Sequence, residues 1–244
     1  MDRSTFQELL PRLMEGRGLD FRLVSELTGL PQAELMAVAD GVMPDSEFLG
    51  RLAPVLRWRA VDLLVVAGAS VPEDELRFDG ESRIWIPRLV SSAMRIPVNS
   101  RIELLEYARS MPEGEVRGTS SIPKAYEQYG ASSGALVVRM LANRNLDWPT
   151  SAKVLYHASG LTFAASTIGA IAHGRKGLTP DLVDAFGGIL GIPSSDLSAL
   201  TGVEMSDDSS KRTAEEIADL IWEVRFLDHG RLRVLAEEAH RMGG

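Results

Sequence analysis

Four histidines, His157, His173, His229 and His240, are the side chains best suited to acid–base or metal chemistry, and their placement supports neither. They are spread without metal-ligand spacing and without an accompanying acidic motif, as surface or interface histidines would be. The sequence has no cysteine. That removes disulfides, thiolate metal sites and cysteine nucleophiles together, and it suits a reducing cytosol. Gly187, Gly188 and Gly191 fall inside a helical pattern with no strand before them, which sets aside a nucleotide-binding loop. No arrangement of nucleophile, base and orienting group is legible, so the expectation is a protein with no catalytic residues, no cofactor and no metal. What remains is recognition by charge and shape.

Charge bounds the partner. The 244 residues carry a formal net charge of −8, which argues against nucleic acid because neutralised phosphates supply most non-specific affinity. The distribution softens that objection: residues 1–75 carry −6, residues 76–130 carry +1, residues 131–204 are neutral and residues 205–244 carry −3. Any contact with double-stranded DNA is expected from the neutral third segment. The N-terminal MDRSTFQELLPRL has no apolar run long enough for a signal peptide. The longest apolar stretch, Val61 to Val71, holds Asp62 and is far too short for a membrane span. A cytoplasmic, nucleoid-associated protein without membrane contact is the expectation.

The elements that must position any such contact come in duplicate. Leu19, Gly29, Leu35, Val38, Gly41, Leu52, Leu56, Asp62, Leu63 and Gly68 recur, in order, as Leu146, Gly160, Ile168, Ile171, Gly174, Phe186, Leu190, Asp196, Leu197 and Gly202. From Gly41 and Gly174 onward the offset is 133 or 134 residues at every pair, the mark of a duplicated unit. Identity between the copies is low, so they share a fold rather than a surface.

Apolar residues recur at three and four spacing nearly everywhere, and no stretch shows sustained period-two alternation, so the predicted fold class is all-α. In copy one the stripes are Phe6 to Leu13, Phe21 to Leu27, Gln32 to Ala39, Phe48 to Leu56 and Val61 to Val66. In copy two, Leu136 to Leu141 opens the series. Pro149 suits the first turn of a helix that Gly160 ends, and Ala164 to Ala172 is a third helix stopped by Gly174. Thr179-Pro180-Asp181 reads as cap, first-turn proline and dipole-favoured acid for the fourth helix, and Ser194-Ser195-Asp196 opens the fifth. Helix dipole and capping account for Asp62 and Asp196 at the starts of the fifth helices.

Between the copies, Trp85 to Met94 and Arg101 to Met111 read as helices, and Glu113 to Ser133 as linker or loop. Residues 205–212 read as a polar hinge. Thr213 to Glu216 then forms a capping box before an amphipathic tail that Gly230 interrupts. The tail must bury its stripe on a partner chain or on its own domain. The predicted organisation is therefore a degenerate first copy over 1–76, a helical connector and loop over 77–133, a second copy over 134–204, and a hinge with helical tail over 205–244. Trp58, Trp85, Trp148 and Trp222 lie on apolar faces and read as core or interface anchors.

Five short helices, with a glycine turn between the second and third and a glycine after the third, match a helix-turn-helix unit. There the second helix braces the backbone while the third enters a major groove just wide enough for a helix. The run Gly160-Leu-Thr-Phe-Ala-Ala-Ser-Thr-Ile-Gly-Ala-Ile-Ala-His-Gly-Arg-Lys-Gly-Leu-Thr-Pro-Asp-Leu182 resembles the Cro/C1-type, λ-repressor-like (XRE) regulators. The resemblance covers residues 136–203, and residues 6–68 more loosely; Leu220-Ile-Trp-Glu-Val-Arg225 is similar to tails of actinobacterial regulators of this type.

The resemblance implies two λ-repressor-like five-helix domains in a DNA-binding transcriptional regulator, with a homodimer joined through residues 213–241. By position it implies that Ala164, Ala165, Ser166, Thr167 and Gly169 face base edges while Ile168 and Ile171 do not. Arg175 and Lys176, with Thr150, Ser151 and Lys153 on the second helix, would meet phosphate, and His173 lies beside them. None of the base-facing residues is arginine, glutamine or asparagine, a departure from strongly specific readers. In copy one, Glu34, Asp40, Asp45 and Glu47 stand near the expected phosphate track and outweigh Arg51. That copy is expected to be a scaffold or protein-binding domain; the alternative is an intramolecular pseudo-dimer with both copies on DNA. The competing reading of the whole chain is a protein-interaction adaptor that never touches DNA.

Overall fold

The computed structural model describes residues 6–76, 78–113, 128–205 and 215–243. The fold is all-helical, with no strand among the described residues. A first unit comprises α1 (Phe6–Glu15), α2 (Phe21–Thr28), α3 (Gln32–Ala39), α4 (Ser46–Leu56) and α5 (Ala60–Ala67). Two connector helices follow, α6 (Ile86–Ala93) and α7 (Val98–Ser110). A second unit comprises α8 (Ser133–Ala142), α9 (Trp148–Ser159), α10 (Ala165–Ala172), α11 (Pro180–Leu190) and α12 (Ser194–Thr201), and α13 (Glu215–Glu223) and α14 (His229–Met242) come after it. No helix among the described residues is long and apolar enough to cross a membrane.

The same local chemistry builds both units. Asp20 and Asp147 cap α2 and α9 by accepting the backbone N–H of Leu23 and Thr150, which satisfies donors that the helix itself leaves open. Both helices end at a glycine in the left-handed region, Gly29 at φ 69° and Gly160 at φ 76°, where a Cβ would be strained. The repeated apolar positions are buried in each copy: Leu35 with Ile168, Val38 with Ile171, Leu52 with Phe186, Leu63 with Leu197. One hydrophobic core runs through both units, the connector and the tail. The two copies are thus docked rather than strung on a linker.

The docking is reciprocal. Helix α1 lies against α12 and helix α5 against α8, so the first helix of each unit meets the fifth helix of the other, as in a two-fold dimer. Two clamps of matching design close this interface. Arg144, just beyond α8, is fully buried and donates from Nη1 and Nη2 to Oδ1 and Oδ2 of Asp62 on α5, at 3.1 and 2.8 Å. The same nitrogens donate to the carbonyls of Met140 and Leu190 in its own unit. Arg17, just beyond α1, does the same toward Asp196 on α12, at 3.1 and 2.5 Å, and toward the carbonyls of Leu13 and Leu56. Asn143 adds a donor to Asp62, and the Trp58 indole N–H one to Asp196. Asp62 and Asp196 are therefore more than dipole partners: each is a buried carboxylate held bidentately by the opposite unit's arginine.

The tail covers its own chain. Helix α13 packs on α7 and α11, and α14 on α6 and α7, burying Ile217, Leu220, Ile221, Leu232, Leu235 and Ala239. Trp222 stands between the guanidinium groups of Arg59 and Arg225, 4.8 and 3.6 Å from its ring centre. The apolar stripe assigned to a homodimer through residues 213–241 is accordingly taken up within the chain. The break in the tail falls at Leu227, before Asp228, whose side chain caps α14, so Gly230 lies inside the first turn rather than interrupting it. The connector helices begin at Ile86 and Val98, the second entered from Pro97. Thr179 precedes α11 without a side-chain cap bond. Residues 206–212 of the expected hinge, Thr213 of the capping box and residues 114–127 of the expected loop lie outside the described residues.

Candidate nucleic-acid interface

Helices α9 and α10 pack on each other, with α8 behind α10 and α11 behind α9. The apolar spacing of α10 decides which of its residues reach solvent. Ile168, Ile171 and Ala172 are fully buried, which turns Ala164 and Ser166 outward and leaves Ala165, Thr167 and Ala170 partly exposed. Gly174 then adopts φ 67°, and the backbone N–H groups of Arg175 and Lys176 both donate to the Ala170 carbonyl, at 2.8 and 3.2 Å. This tight turn delivers both side chains to solvent beside the end of α10. Lys176 stands 5.9 Å from the centre of the Phe163 ring, and Lys153 is exposed on α9.

Three of the sequence-assigned contacts are withdrawn by packing. Gly169 is buried against Trp148: a Cβ there would lie 2.6 Å from the indole ring, so the position serves close approach rather than base contact. Thr150 and Ser151 are buried in the first turns of α9, and the Ser151 hydroxyl is sequestered from solvent. His173 is half-buried, edge-on to Tyr129 at 5.4 Å and to Trp148 at 6.1 Å between ring centres. Trp148 donates its indole N–H to the Tyr129 hydroxyl at 2.9 Å. This aromatic group props the start of α9 against the end of α10. Its signal in the sequence was a glycine in mid-helix, which leaves room for a neighbour to approach closely.

Charge separates the two units most sharply in this region. Residues 148–180 contain no aspartate or glutamate, while Lys153, Arg175 and Lys176 are exposed. The corresponding stretch of the first unit, residues 21–46, has Arg22 against Glu26, Glu34, Asp40 and Asp45. Where the second unit has Arg175 and Lys176, the first has Val42 and Met43, 58% and 67% exposed. His157, partly buried on α9, has its pKa lowered by loss of solvent and by the nearby Arg95 charge. Asp147 is held by capping α9 and by Arg83 at 3.6 Å. The arrangement offers polyanions a small, uncharged helical face with a cationic corner. No family model, curated protein or solved structure matches the chain.

Proposed function

We propose that the chain is a DNA-binding transcriptional regulator whose second unit works as an XRE-type helix-turn-helix. In this reading α10 enters the major groove with Ala164, Ala165, Ser166 and Thr167 toward base edges. Serine and threonine hydroxyls bond to several base edges, and the alanine and threonine methyls suit thymine. Arg175, Lys176 and Lys153 contact phosphates on either side. The observation that supports it best is the outward α10 face running directly into the exposed Arg175–Lys176 turn, within 33 residues free of acid. The first unit, joined to the second by the reciprocal clamps, acts as a scaffold, and this reading needs no second chain to bring two units together.

A salt series on binding of the full chain to duplex DNA tests it. Affinity should fall steeply from low to physiological salt, and replacing Arg175 and Lys176 by alanine should reduce the log–log slope by about 2. That double variant should weaken binding to every sequence about equally. Unchanged affinity in the variant, or no DNA binding at any salt, would leave the adaptor reading in its place.

A further inference from the structure

The two units differ in one respect that their symmetry makes conspicuous. Helix α9 packs against α10, α11 and the connector helix α6, whereas its counterpart α2 packs against α3 and α4, the equivalents of α10 and α11. Among the described residues, no helix takes on the first unit the place that α6 fills on the second. Val154 and Ala158 on α9 are buried, but their counterparts Leu23 and Leu27 are partly exposed and 58% exposed. Gly169 on α10 lies under the Trp148 indole, but its counterpart Met36 is 47% exposed. Val42 and Met43 extend this apolar surface past the end of α3.

We infer that the α2–α3 face of the first unit is a docking seat for a basic amphipathic helix of a partner protein, lying on α2 as α6 lies on α9. Helix α6 with its following turn is the internal template. Ile86, Leu89, Val90 and Ala93 are its buried face, Arg88 and Arg95 its charges, and it holds no acid. The charges around the seat agree with that choice. Arg95 stands near His157 on α9, and the residue equivalent to His157 on α2 is Glu26, exposed and paired only with the exposed Arg22 at 3.3 Å. Glu34 and Asp40 on α3 are also exposed. Glu26, Glu34 and Asp40 outnumber the cations beside the same face, Arg22 and Arg51, the latter donating to the Thr28 carbonyl at 3.1 Å, so the apolar side chains favour a helix whose polar face is cationic rather than acidic. A second copy of this face would bring acid against acid.

The test uses the full chain and synthetic, fluorescently labelled fourteen-residue helical peptides: one with an apolar face and a lysine/arginine face, one with the same apolar face and a glutamate face, and a scrambled form of the first. Anisotropy should show the basic amphipathic peptide binding at least tenfold more tightly than the other two. Leu27→Ser with Met36→Ser should weaken it tenfold or more, and Glu26→Gln with Glu34→Gln should flatten its salt dependence. Val234→Ser, an exposed apolar residue on α14, should change nothing. Equal binding of basic and scrambled peptides, or indifference to Leu27→Ser/Met36→Ser, overturns the inference. So does a concentration-dependent dimer lost in that variant, which assigns the seat to a second copy. Loss of DNA binding in that variant with no peptide binding by the parent likewise overturns it. Because the Arg175/Lys176 variant reads the second unit alone, failure of the DNA proposal and failure of this one are separable.

Discussion

The third helices of the two units share a backbone role and almost nothing on their outer surfaces. Both bury two branched aliphatics, Leu35 and Val38 in one, Ile168 and Ile171 in the other. Outward, α3 presents Gln32, Glu34, Met36 and Asp40, then Val42 and Met43; α10 presents Ala164, Ser166 and Thr167, then Arg175 and Lys176. Duplication preserved the residues that pack and released those that do not. The covering differs too, since α6 and Trp148 shield the second unit where Leu27 and Met36 of the first are exposed among the described residues. One packing scheme thus carries two outer surfaces that differ in charge and polarity.

Three experiments would break or sharpen that contrast. The largest effect should come where the units are most alike. Arg144→Ala strands the buried Asp62 carboxylate and should cost about 3–5 kcal/mol. Arg17→Ala should cost less, because that side chain is 17% exposed and water can reach its partner's site. Urea unfolding of both variants checks the order, and equal losses would mean the two clamps are energetically equivalent despite their different burial. Next, exchanging the equivalent mid-helix residues, one buried and one exposed, tests the covering: Gly169→Met must displace the Trp148 ring and should cost about 1–3 kcal/mol as overpacking. The reverse change, Met36→Gly, should cost only the helix propensity of glycine, about 1 kcal/mol.

The smallest effect concerns protons. The folded protein lowers the pKa of His157 below its ordinary 6.5, chiefly by burial and then by Arg95. The unfolded chain therefore binds more protons than the folded one around and below pH 6.5, so acidification through that window removes stability. Arg95→Ala should raise the His157 pKa toward 6.5 and flatten this part of the stability profile, followed by NMR titration of the imidazole. A drop in the His157 pKa would refute the placement of Arg95.

Most of the helix plan was legible because periodicity and punctuation agree locally: Gly29, Gly41, Gly160 and Gly174 stop helices that apolar spacing defines. Which face of α10 is outward was legible for the same reason. The docking of the units was not. Asp62 and Asp196 stood out in sequence only as matched acids at helix starts, and Arg17 and Arg144 did not stand out at all; only long-range packing makes them partners. The burial of Thr150 and Ser151 on α9 was not legible either, because tertiary packing decides it and leaves no local mark. The tail's stripe was visible, but its destination was a choice between two surfaces that hydrophobicity alone treats alike.

The reciprocal clamps also govern stoichiometry. With each arginine gripping across the boundary, Asp62 sealed from water and Asp196 nearly so, a swivel of one unit against the other must break a buried ion pair. Each molecule then carries the Arg175–Lys176 corner and the α2–α3 face once each, at a constant angle. A polypeptide captured at one would be held at a set distance from whatever the other grips, with no hinge to average that distance away.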